Sequence, residues 1–104
     1  MTQTTLIGRV FEVSDQIDNG RSASDIVTYA MTELGELAEE VIIANGRSYK
    51  EPGKDGVIGE ALDLIACAAD MIRTQAPDLT EADLLEIIEP KLQKWKSNAA
   101  NYGD

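Results

Sequence analysis

Glu33, Glu36, Glu39 and Glu40 crowd a stretch with no Lys or Arg between Thr28 and Ala44, and Glu60, Asp63 and Asp70 crowd a second with no basic residue before Arg73. If both stretches are helical, about 100° per residue places Glu33, Glu36 and Glu40 within an arc of roughly 60°, with Glu39 pointing elsewhere. The same arithmetic places Glu60, Asp63 and Asp70 within roughly 80°. Like charges three or four residues apart each cost a helix about 0.2–0.5 kcal/mol, and the basic neighbours that usually relieve them are missing. A hard divalent cation such as Mg²⁺ relieves them, because it takes oxygen ligands and leaves positions open to water and phosphate. The competing reading is a solvated face, since these groups lie at the edge of, or opposite, the Leu34/Val41 and Ile58/Ile65/Ile72 stripes.

Composition narrows the chemistry further. The 104 residues carry nine Lys and Arg against nineteen Asp and Glu, a net charge of −10, with one Cys and no His. Lacking His, the chain has no Ser-His-Asp triad, no His-liganded zinc and no Glu-x-x-His di-iron site. Such a charge argues against nucleic-acid partners, whose phosphates demand clustered cations. Cys67 alone forms no internal disulfide, no apolar run reaches membrane-spanning length, and the N-terminus lacks the pattern of a signal peptide. The expectation is one small cytoplasmic domain, 1–104, without a membrane segment.

The elements that position the carboxylates follow from local signals. Leu6, Ile7, Val10, Phe11, Val13 and Ile17 form one face of a first helix over 5–18, closed by Asp18-Asn19-Gly20. Ser22 or Ser24 caps a second helix, with Asp25 in its first turn, running to Ala44. Asn45 to Gly56 reads as an exposed loop. A third helix spans about Val57 to Thr74. Thr80 with Asp83 offers a capping-box-like start for a fourth, which extends to about Asn98 past a possible bend at Pro90. No period-two segment occurs, so the class is all-α.

Glu33-Leu34-Gly35-Glu36 and Gly59-Glu60-Ala61-Leu62-Asp63 resemble the paired E-x-x-E and E-x-x-D signature of the MazG-like all-α nucleoside triphosphate pyrophosphohydrolases. The likeness extends from about Ile26 through Trp95. It implies a four-helix MazG-like bundle completed by oligomerisation, as a homodimer or homotetramer. It implies Mg²⁺, with Mn²⁺ as a substitute, held by Glu33, Glu36, Glu60 and Asp63, and cleavage of a nucleotide between its α and β phosphates. Glu33, Glu36 and Glu40 are the candidate catalytic residues, Glu40 as an auxiliary base or supporting group one turn beyond the motif. Two departures stand out: Thr32 occupies a position where the family often has a further Glu, and no Arg follows Arg73. Lys91, Lys94 and Asn98 are the candidate phosphate contacts, against a reading in which the lysines only complement a helix C-terminus.

Trp95, Tyr29, Phe11 and Tyr102 are candidates for stacking on a base, although packing is the commoner use of such side chains. Cys67 reads as a small core filler, since no base stands near to generate a thiolate. Gly53 to Gly59 lacks P-loop spacing and is at most a hinge or lid. An entirely different function is also compatible: a non-catalytic acidic module that binds a protein or mimics DNA, or a MazG-like fold without activity. Carboxylates spread over a surface favour mimicry; carboxylates that converge favour a metal.

Overall fold

The computed structural model describes residues 4–102, all in helices and their connections, with no strand among them. Helix α1 spans Leu6–Gln16, α2 Ala23–Ala44, α3 Gly56–Gln75 and α4 Glu81–Tyr102. Local chemistry sets each start. Thr5 Oγ1 accepts the N–H of Gly8 at 3.0 Å and caps α1. At α2 it is Ser22 that caps, in a reciprocal box with Asp25, and Thr80 with Asp83 forms the same box before α4. Each box satisfies donors that a helix leaves orphaned at its N-terminus.

The ends are as local. After α2, Gly46 adopts φ +73°, and the amides of Gly46 and Arg47 return to the carbonyls of Ile43 and Ile42, the Schellman pattern that only a residue tolerant of positive φ closes at low cost. Helix α4 runs past Asn98 to Tyr102. The stretch Ser97-Asn98-Ala99-Ala100 contains no breaker, and Ala is the best helix former. Pro90 sits inside α4 without ending it.

Packing is uneven. Helices α2 and α3 lie antiparallel along their length, α1 packs on α3, and among the described residues α4 approaches the rest through its first half. There Thr5 Oγ1 donates to Glu81 Oε1 at 2.7 Å, and Ile7, Ile72, Leu84 and Ile88 line an apolar groove of about 430 Å³. From Leu85 to Ala100 every residue of α4 is exposed. A single copy is thus a three-helix body from which α4 projects, and its own packing does not close a four-helix bundle.

The core is correspondingly thin: Phe11, Ile26 and Ala69 are the buried apolar residues among those described. Arg73 lies over the Phe11 ring at 5.2 Å from its centroid and pairs with Asp15 through two bonds of 2.7 and 2.8 Å. The chain exposes 7994 Å², where a compact monomer of its mass exposes about 5,700 Å². Its radius of gyration is 16.4 Å, against about 13 Å for a compact domain of this length. Met31, Leu34, Ile58, Leu85 and Trp95 are all more than half exposed. No helix among the described residues is long and apolar enough to cross a membrane.

Candidate metal centre

The antiparallel pair α2–α3 brings the two acidic stripes face to face. Glu33 and Glu36, three residues apart on α2, meet Glu60 on α3, and one carboxylate oxygen from each lies within 4.8 Å of the others. The solvated-face reading requires oxygens turned to water. Here Glu33 Oε2 and Glu60 Oε2 are shut off from solvent and have no hydrogen-bond partner, and burying a charge without a partner is costly.

The electrostatics report the same crowding. Burial pushes the Glu33 carboxyl above its usual range, and the charges of Glu36 and Asp63 push it further. Glu60 is pushed up to about 7, by burial first, then by the close Glu36 carboxylate and the charges of Asp63 and Glu33. Asp63 itself is exposed beside the three and acts on them through its charge. No ion pair among the described residues reaches any of the four; Arg9, Arg21, Lys50 and Arg73 are engaged with Glu12, Asp70, Glu39 and Asp15. An all-carboxylate oxygen set with unsatisfied lone pairs suits a hard cation of the Mg²⁺ or Mn²⁺ type and does not suit soft metals.

Two residues of the predicted arcs go elsewhere. Asp70 is held by Arg21, whose Nε and Nη2 donate to its two oxygens at 2.8 and 2.7 Å, while Ser14 donates a further hydrogen bond. These contacts hold the Asp70 carboxyl below the usual carboxylate range, the Arg21 hydrogen bonds foremost. Glu40 is buried and accepts the backbone N–H of Gly53, so its carboxylate serves the loop 45–55 rather than the cluster. Glu39 points away, as the helical wheel predicts, and meets Lys50 Nζ at 3.0 Å.

The remaining candidates are dispersed. Lys91, Lys94 and Asn98 are exposed on the projecting part of α4 and are not brought to the cluster within one chain. Phe11 is committed to the core, Trp95 is exposed on α4, and the side chain of Tyr102 lies outside the described residues. Tyr29 lines an open cavity of about 470 Å³ with Asn19, Arg21, Asp25, Thr28 and Thr32. Burial and the charges of Glu33, Asp70 and Asp63 raise the Cys67 thiol, which keeps it protonated and unreactive, in line with a packing role. Comparisons with family models, with curated proteins and with solved structures gave no match for this chain.

Proposed function

We propose that this protein is a Mg²⁺-dependent nucleotide pyrophosphohydrolase of the MazG-like class, which cleaves a nucleoside triphosphate or a related nucleotide between the α and β phosphates. The observation that carries the reading is the convergence of Glu33, Glu36 and Glu60 with two solvent-shielded, unpartnered carboxylate oxygens. Together with Asp63 they are the residues that would hold the ion. When bound, Mg²⁺ (or Mn²⁺) supplies charge neutralisation at the phosphates and lowers the pKa of a water. The chain supplies a fixed frame, because both pairs of carboxylates are spaced by one helical turn on two helices packed along their length. It also supplies selectivity, since an uncompensated acidic cluster repels an anionic substrate that arrives without a cation. Convergence at one place also weighs against charge mimicry, which needs the carboxylates spread out.

Pyrophosphate release measured across the nucleotides, with Mg²⁺ and with chelator, tests the reading. Metal-dependent release from at least one nucleotide is expected; its absence from all of them would leave the acidic module and the MazG-like fold without activity as the standing readings. The excess exposed surface supports assembly as a homodimer or homotetramer that covers the apolar groove of about 280 Å³ between Val27, Met31, Leu34 and Ala68, Met71 and gives α4 a packing surface. Sedimentation at micromolar concentration should give at least twice the monomer mass, and a stable monomer would rule the assembly out.

A further inference from the structure

The loop 45–55 joins α2 to α3 and carries Arg47, Lys50 and Lys54. It is not a free connection. Gly53 donates its N–H to the Glu40 carboxylate, and Glu40, 7% exposed, is the one buried acid among the described residues. A buried carboxylate is tolerated when it is hydrogen-bonded, so the burial of Glu40 and the return of the loop to α2 support each other. The approach is close: a Cβ added to Gly53 would lie 2.8 Å from Glu40 Oε1. A side chain at residue 53 would press on the flexible end of Glu40, which would have to shift to admit it.

The position of this latch matters. Glu40 is one turn, about 6 Å along the axis, beyond Glu36, and Lys54 precedes Glu60 by six residues. The latched loop thus lies at the end of the α2–α3 pair nearest the carboxylates. Of the cations there, Lys50 is paired with Glu39, while Arg47 and Lys54 are exposed and form no ion pair among the described residues. The lysines of α4 stand on the projecting helix instead.

On the basis of the pyrophosphohydrolase reading, we propose that the 45–55 loop forms the subsite for the outer phosphates of the nucleotide, with Lys54 and Arg47 as their cationic contacts and Glu40 as the positioning residue that latches the loop. A polyphosphate approaching a chain of net charge −10 needs positive charge beyond that of a metal, and flexible Lys and forked Arg side chains provide it through charge-assisted hydrogen bonds.

The test is calorimetric titration with inorganic pyrophosphate in excess Mg²⁺, with circular dichroism to show that each variant is folded. Lys54→Ala and Arg47→Ala should each weaken binding about tenfold, and Lys54→Arg should retain most of it. Glu40→Ala removes the acceptor of the latch and should weaken binding to a similar extent, while Gly53→Ala, which keeps the N–H and only crowds the Glu40 carboxylate, should weaken it less and serves if the first does not fold. Adding Lys54→Ala to Glu40→Ala should cost little more, because an unlatched loop no longer presents the lysine. Undiminished binding by the Arg47→Ala/Lys54→Ala double variant, alongside loss in Glu36→Gln, would overturn the subsite and leave the enzymatic reading standing. A loss that falls on Lys94→Ala instead of the loop would do the same. Failure of the unaltered protein to bind pyrophosphate overturns the subsite too; the enzymatic reading falls with it only if no nucleotide yields pyrophosphate either.

Discussion

Helix α3 carries two half-buried acids ten residues apart, Glu60 and Asp70, whose surroundings push them in opposite directions. Asp70 receives a two-pronged Arg21 and the Ser14 hydroxyl, and its carboxyl is held below the usual range. Glu60 receives only other carboxylates and is pushed up to about 7. Similar exposure on one helix therefore predicts neither state; the partners do. Arg21 also donates to the carbonyls of Ser14 and Ile17, so the Asp70 junction is a staple between α1, α3 and the turn before α2. Interactions there are used up in holding the fold, whereas in the Glu33–Glu36–Glu60 cluster two shielded oxygens, Glu33 Oε2 and Glu60 Oε2, have no hydrogen-bond partner.

The largest expected contrast is in turnover. Glu36→Gln or Asp63→Asn keeps size while removing a charge from the cluster, and pyrophosphate release at saturating Mg²⁺ should fall by orders of magnitude with the fold retained. Glu39→Gln, whose charge is occupied by Lys50 at the surface, should leave turnover within about twofold. Equal damage from Glu36→Gln and Glu39→Gln would erase the distinction between cluster and surface.

Next comes stability. Arg21→Ala strands the Asp70 charge at a site where both side chains are less than one-fifth exposed, and should cost about 2–3 kcal/mol, or roughly 10–20 °C in Tm. Thermal melts decide it. A change of less than about 0.5 kcal/mol, the level of an ordinary surface pair, would make the staple ornamental.

The smallest effect, and the sharpest in sign, concerns pH. Glu60 binds its proton more tightly in the fold than at its ordinary value of 4.5, so the folded state holds more protons between about pH 4.5 and 7 and metal-free stability should fall as pH rises through that window. Asp70 works the other way: its stabilisation is present above the ordinary carboxylate range and is lost as acid protonates it. Melting without metal should therefore occur at higher temperature at pH 5.5 than at pH 8. Glu60→Gln should flatten that slope, and millimolar Mg²⁺ should recover the loss at pH 8 beyond what matched NaCl achieves. A slope unchanged in Glu60→Gln would assign it to other groups.

What could be read from the sequence is what short-range chemistry decides. Ser22 with Asp25 and Thr80 with Asp83 announce helix starts because their partners sit three residues away, and Glu33 with Glu36 announces a shared face for the same reason. Other residues answer to distant or featureless partners. Asp70 falls on the acidic arc by periodicity, but Arg21, 49 positions away, removes it from the cluster. Glu40 also lies on its arc, yet its partner is the backbone amide of Gly53, which no side-chain pattern advertises. The meeting of the α2 and α3 stripes depends on how the helices are rotated against each other, which periodicity alone leaves undetermined.

Pro90 gives α4 a mechanical character. A proline has no N–H to return to the carbonyl four residues earlier, so the rung between Pro90 and Glu86 is missing within the exposed stretch that follows Leu84. The first turns are moored through Glu81 and through Leu84 and Ile88 in the apolar groove, and the helix continues past them across a rung that lacks its hydrogen bond. Any surface that covered the exposed half of α4 would meet Lys94, Trp95 and Asn98 on that same helical segment.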